Sequence, residues 1–225
     1  MENKPKISVV IPCWNQAQYL PEAIESVLAQ TLKPHEVIVV NDGSPDDTRY
    51  IAKSYPEVKY IEQVNKGLAS ARNTGIMNMT GDYFYPLDAD DKMYPNCVER
   101  VSQVIEETDA DIVAPSFRCF GEQTGEVILM PEPQFNDFKA GNRIGYFSAI
   151  KKQALLEIGG YSPRMIHGYE DYHLWVNMLH AGKRIVTIPE PLIFYRTKKE
   201  SMITDAQKHH SELMTQIYKD FPRFK

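Results

Sequence analysis

The runs Lys6–Pro12 (KISVVIP) and Val37–Asn41 (VIVVN) constrain the fold most, because their apolar residues are consecutive rather than alternate. Strand side chains point to opposite faces in turn, so a strand apolar throughout must be covered on both faces. The first run stops at Pro12-Cys13-Trp14-Asn15 and the second at Asn41-Asp42-Gly43-Ser44. Between them Leu20, Ile24, Val27 and Leu28 fall at helical spacing, with Pro21 suited to a first turn. The alternation continues with a helix from about Asp46 to Ser54, a strand near Val58 to Glu62 and a helix from Gly67 to Met79. A strand from Asp82 to Leu87, a helix from Pro95 to Glu107 and a strand from Asp111 to Pro115 follow. Strands alternating with helices through short connections form βαβ units, and right-handed crossovers put helices on both faces of the sheet.

The second half is less regular. Gly121 to Met130 reads as a hairpin, Pro131 to Gly145 as a loop, and Gln153 to Ile158 as a short helix stopped by Gly159-Gly160. Ser162 to Gly168 is a loop, Glu170 to Ala181 a helix ended by Gly182, Arg184 to Arg196 extended, and Asp205 to Lys219 one polar helix. No repeat or linker divides the 225 residues, so a single domain over 1–225 is expected. The formal charge of −5 is dispersed and gives no basic surface for nucleic acid. Cys13, Cys97 and Cys119 are odd in number and far apart, which indicates neither a disulfide framework nor a structural zinc site and fits a reducing compartment. Met1 to Lys6 lacks the apolar core of a signal peptide, and no apolar run reaches the ~20 residues of a membrane span. A cytoplasmic protein is expected.

In open α/β sheets, ligands bind beyond the carboxyl ends of the strands. Asp88-Ala89-Asp90-Asp91 directly follows a strand, and carboxylates at i and i+2 suit Mg²⁺ or Mn²⁺ shared with phosphate oxygens. The same run also reads as an acidic turn before a helix; three like charges crowded together directly after an apolar strand favour a ligand. Asp42 can accept hydrogen bonds from a base or ribose and Gly43 permits close approach of a ligand, although Asn41–Ser44 is also a common turn with Ser44 or Asp46 as helix cap. Arg72 lies at the edge of the stripe Leu68, Ala71, Gly75 and Met79, either pairing with phosphate or standing on the surface. Asp171 shares a helix face with Trp175 and Met178, as a cap or as a general base, with Glu170 as its stand-in. His167 reads as a solvated loop residue, and His209-His210 as part of a polar helix with no metal role.

Taken in order, SVVIPCWNQAQYLPEAIESVLAQT, EVIVVNDGSPDDT, NKGLASARNTGI, GDYFYPLDADD, IGGY and EDYHLW resemble the family 2 glycosyltransferases of GT-A fold over about residues 6–196. The resemblance implies a mostly parallel, Rossmann-like central sheet with helices on both faces and a smaller irregular acceptor-side region. It implies a nucleotide-sugar-binding half at about 1–116, an acceptor-binding half at about 117–200 and a C-terminal helix at 201–225. The implied reaction is inverting transfer from a nucleotide-sugar donor, most often a UDP-sugar, to a hydroxyl of a glycan or lipid-linked acceptor, as in surface polysaccharide synthesis. Carried over residue by residue, Pro12, Asn15, Asp42, Gly43, Arg72 and Asp88 would surround the nucleotide, with Asp42 facing uracil. Asp90, with Asp88, would hold Mn²⁺ or Mg²⁺, and Asp171 would be the general base. Lipid-linked acceptors leave peripheral association of the terminal helix with the inner face of the membrane open.

One departure stands out. Members of the family often carry Tyr-Arg-x-His near the end, the histidine completing the metal site; here the run is Tyr195-Arg196-Thr197-Lys198. A protonated lysine has no lone pair to give a metal. Lys198, with Arg196, would instead touch the diphosphate as fixed positive charge, and metal dependence is expected to be weaker. The missing histidine also admits a catalytically silent nucleotide-binding or scaffold member, against which the retained Asp42, Asp88, Asp90 and Asp171 argue. A nucleotidyltransferase would begin with a glycine- and arginine-rich phosphate loop, and Pro12-Cys13-Trp14-Asn15 is not one.

Overall fold

Alternate residues of β1 (Ile7–Cys13) feed two separate cores, which is why the strand is buried at every position. The computed structural model describes residues 4–199 and 202–225. Ile7, Val9 and Ile11 pack with α1 (Leu20–Leu28) and α4 (Cys97–Thr108) on one face, while Val10 meets α3 (Leu68–Asn78) on the other. β1 pairs in parallel with β2 (Glu36–Asn41) and β4 (Tyr83–Pro86), and β3 (Val58–Glu62) extends the sheet beyond β2. α2 (Thr48–Lys53) connects β2 to β3. α3 lies close against β1 because Gly75 has no side chain: a Cβ there would stand 2.3 Å from Val10 Cγ1. Gly75→Val is expected to overpack this contact and lower stability by about 1–3 kcal/mol, read from a denaturant melt.

The sheet continues through β8 (Ala149–Lys151), antiparallel to both β4 and β6 (Ile112–Gly121), then through β9 (Ile185–Thr197), parallel to β6. β5 (Lys92–Met93) closes the far edge on β9, and β7 (Gly125–Val127) folds back on Phe117–Cys119 of β6, so the hairpin begins before the expected Gly121. β6 runs to Gly121 rather than ending at Pro115. The register with β9 shifts on either side of Ser116, and that irregularity accommodates the proline without ending the strand. β5 and β8, two and three residues long, are too short to show a period in sequence.

α5 (Lys152–Ile158) and α6 (Glu170–His180) match expectation closely. The single terminal helix does not: it is two helices, α7 (Met202–Lys208) and α8 (His210–Asp220), broken at His209. Leu213, Met214 and Ile217 of α8 are buried in the core shared with Trp175 and Phe138. They leave that helix no apolar face on which to lie at a membrane surface. Among the described residues, no helix is long and apolar enough to cross a membrane.

Candidate functional site

The carboxyl ends of β1, β2 and β4 meet the end of β9 around a cavity of about 480 Å³, lined by Pro12, Trp14, Asp42, Asp88, Asp90 and Lys198 among others. A larger cavity of about 710 Å³ lies beside it, walled by Asn142, Tyr146, Tyr169, Glu170, Asp171 and residues of α7 and α8. Leu68, Asp88 and Tyr195 line both, so the two cavities adjoin there. Asp42, Asp90 and Asp171, remote in sequence, therefore border one continuous cleft.

Asp42 is buried, and most of its hydrogen-bonding capacity serves the protein. Its Oδ1 accepts from Gln63 Nε2 at 2.6 Å and the Lys66 N–H at 2.9 Å, and its Oδ2 accepts from the Gly67 N–H at 2.8 Å. A carboxylate offers about four acceptor positions, so one remains for a ligand. Gly43, at φ +69°, does admit close approach, but of the neighbouring chain: a Cβ there would stand 2.8 Å from the Asn65 nitrogen. Gly43 and Asn15 are not in the cavity wall. Asn15, at φ +54°, turns the chain while its N–H donates to Ser44 Oγ, and the flanking Trp14 and Gln16 face the cavity instead.

Arg72 neither stands on the surface nor reaches into solvent for a phosphate. It is fully buried, with Nη2 2.8 Å from Asp88 Oδ1 and Nη1 2.6 Å from Glu170 Oε1, and its guanidinium lies near the rings of Tyr146 and Tyr161. Glu170 is correspondingly committed: its carboxylate is 7% exposed and holds Arg72, which removes it as a stand-in base. Burial pushes the Asp88 carboxyl up to about 6, opposed by Arg72 and reinforced by Asp90.

Every carboxylate of the acidic run has a donor supplied by the protein from afar. Asp90 Oδ2 is 2.5 Å from Lys198 Nζ. Asp91 is buried, accepting from the Arg196 N–H at 2.6 Å and from Tyr146 Oη at 2.5 Å, and burial raises its pKa well above the usual range. Tyr146 Oη in turn accepts from the Asp88 N–H at 2.9 Å. Arg196 props the turn rather than standing free: Nε donates to the Asp90 carbonyl at 2.8 Å, Nη2 pairs with Glu22, and the guanidinium packs against Tyr19 and Phe120. With Asp88 paired to Arg72 and Asp90 to Lys198, the donor set does not fit a divalent cation held on these two carboxylates.

Asp171 is half-buried in the wall of the larger cavity. Its Oδ1 accepts from the Tyr172 N–H at 2.7 Å and its Oδ2 from Asn142 Nδ2 at 2.9 Å. Burial, and then the neighbouring Glu170 charge, hold its pKa well above the usual carboxylate range, with Arg72 opposing. Tyr169, at φ +58°, makes the left-handed turn into α6, and its hydroxyl meets His210 Nδ1 at 2.9 Å. Trp14 and Tyr195 on one side, and Asn142, Tyr146, Tyr169 and His210 on the other, were not singled out as site residues from sequence. Of these, the tryptophan carried a signal, standing directly after a strand end where it is 53% exposed, as did Tyr195 in the Tyr-Arg run.

Residues 8–167 match the family model described as Glycosyl transferase family 2. The chain is 41% identical over 217 residues to Glycosyltransferase GlyA of Streptococcus pneumoniae serotype 4, which covers 88% of this chain and 31% of that protein. An uncharacterized glycosyltransferase of Rickettsia prowazekii is 48% identical over 106 residues, covering 47% of this chain and 33% of its own length. The chain thus spans about a third of the length of these curated relatives. The crystal structure of S. aureus TarS 1–349 in complex with UDP-GlcNAc matches at a TM-score of 0.80 and 19% identity, over 94% of this chain and 65% of that one. At that identity the likeness shows the fold, which is GT-A.

Proposed function

Because the chain belongs to glycosyl transferase family 2, we propose that it moves a sugar with inversion from a UDP-sugar to a hydroxyl of a glycan or lipid-linked acceptor. The donor takes the smaller cavity and the acceptor the larger. The observation that carries this reading is the cleft continuous at Asp88, Leu68 and Tyr195, with Asp171 on the acceptor wall. The TarS structure, of the same fold and in complex with UDP-GlcNAc, supports a UDP-sugar as donor. Surface polysaccharide assembly in the cytoplasm, at the inner membrane face where the acceptor is lipid-linked, is the proposed setting.

Residues 1–116 act as the donor half and 117–200 as the acceptor half, with two exchanges. Tyr195, Arg196 and Lys198 cross to the donor cavity, and Ala206, His210, Met214 and Tyr218 of the terminal helices wall the acceptor cavity.

In the proposed reaction, Asp171 takes the proton of the acceptor hydroxyl as its oxygen attacks the anomeric carbon. The bond from that carbon to the diphosphate oxygen breaks, its electron pair leaves with UDP, and the Lys198 ammonium faces the charge that develops. The base works only when ionised, so activity is expected to fall as pH drops through the raised Asp171 pKa.

Lys198 takes the cation's place on Asp90, and donor binding then needs no divalent metal. Excess EDTA is expected to change the Kd for UDP by less than about 3-fold, measured calorimetrically; a loss of ~100-fold, or about 2.7 kcal/mol, would refute this. Lys198→Ala removes a charged contact to the diphosphate, expected to weaken UDP by about 10- to 100-fold in EDTA. Mn²⁺ should then restore part of the affinity on the freed Asp90.

The substituted histidine also motivates a second reading, a nucleotide-binding member without turnover. Release of free UDP from UDP-sugars distinguishes the two, and a thermal-shift screen selects the sugar: a donor at 100 times its Kd adds about 2.7 kcal/mol of stability.

A further inference from the structure

The break between α7 and α8 places three metal-ligating side chains together, none of them in the lining of either cavity. Asp205 on α7 and His209 at the break are four residues apart, one helical turn, so they share a face. His167, from the loop before α6, joins them. Its Nδ1 is 3.3 Å from Asp205 Oδ2, and its ring lies parallel to that of His209, with centroids 3.9 Å apart. One ligand atom from each of the three residues lies within 4.8 Å of the others. All three are half-buried, which leaves a solvent side for water ligands.

We propose that His167, Asp205 and His209 bind a borderline divalent cation of the Zn²⁺ class, which clasps the terminal helices to the loop that carries the acceptor wall. Two imidazoles and one carboxylate suit Zn²⁺ and its neighbours in the transition series, whereas Mg²⁺ takes all-oxygen sets. Tetrahedral coordination at 2.0–2.1 Å sets ligand atoms about 3.3 Å apart, so ligation turns the stacked rings out of parallel until both in-plane lone pairs meet the ion. Glu212 Oε2 stands 3.4 Å from His209 Nδ1, a carboxylate beside the ring of the kind that orients a metal-bound histidine.

The consequence concerns the cleft. His167 is two residues from Tyr169, and His209 is adjacent to His210, which meets the Tyr169 hydroxyl. Ala206, His210 and Met214 belong to the acceptor wall. A metal here fixes that wall and takes no part in bond making.

The test uses the whole chain, stripped of metal by chelator and dialysed against micromolar Zn²⁺. One equivalent of zinc is expected by elemental analysis, with a rise in Tm that millimolar Mg²⁺ does not produce. His209→Ala and His167→Ala should each weaken Zn²⁺ at least 100-fold by calorimetry, while melting with wild type in EDTA. Asp90→Asn should keep the equivalent. No uptake, uptake that survives the double histidine variant, or loss of uptake in Asp90→Asn would each overturn the assignment. None of these readouts depends on transfer activity, so the proposed reaction stands or falls separately.

Discussion

Asp171→Asn is expected to lower kcat by roughly 10²–10⁴-fold, the ordinary contribution of a general base, while the Kd for UDP stays within about 2-fold. The split follows from the geometry. Asp171 lines the larger cavity and not the smaller one, so the donor loses no contact when the carboxylate becomes an amide. Asparagine can keep its oxygen on the Tyr172 N–H and donate its amide nitrogen to Asn142 once that amide turns over, so the loop at Gly141 need not move. The stability change runs opposite to the change in activity. Because the folded Asp171 pKa is raised, the folded state holds a proton that the unfolded chain has already released between the ordinary and the raised values. Stability therefore falls as pH climbs through that window. Asparagine stays neutral throughout, so the variant should melt no lower than wild type at pH 7 and should lose that part of the pH dependence. Retention of more than a tenth of the wild-type kcat, or a Tm several degrees lower, would remove Asp171 from the role of base.

The sheet was legible in the sequence because β1 and β2 had to be covered on both faces, and Val9 and Val10 do feed opposite cores. The cleft was legible for a related reason: polar clusters at strand ends have nowhere to go but the carboxyl edge of the sheet. What remained hidden depends on partners distant in sequence. Arg72 looked free because Tyr161 and Glu170, which bury it, arrive on segments whose packing no local period encodes. Gly43 looked like a ligand-approach site because Asn65, the chain that approaches it, is invisible from the turn itself. The cations that pair with Asp88 and Asp90 were hidden for the same reason, since Arg72 and Lys198 come from other elements. The terminal helix read as continuous because His209 is neither glycine nor proline, and the break there shows only in three dimensions.

Arg72→Met is expected to cost about 3–5 kcal/mol, the usual consequence of removing one partner from a buried ion pair. Methionine refills the space between Tyr146 and Tyr161, so the loss is electrostatic rather than a cavity. The two orphaned carboxylates do not contribute equally. Asp88 is 24% exposed and recovers some hydration, whereas Glu170 at 7% cannot, so most of the cost is the stranded Glu170 charge. Arg72→Met/Glu170→Gln should therefore recover more than half of the loss, and Arg72→Met/Asp88→Asn clearly less. Asp88 already takes up its proton at about 6 with Arg72 opposing, and without the guanidinium burial acts on it unopposed. The deficit of the single variant should accordingly shrink as pH is lowered from 8 toward 5, by the same linkage that governs Asp171. Equal deficits at both pH values would mean that Arg72 acts through packing alone. The same ion pair ties the donor cavity at Asp88 to the first turn of α6, which carries Asp171. Arg72→Met should thus weaken UDP and lower kcat together, where Asp171→Asn moves only kcat.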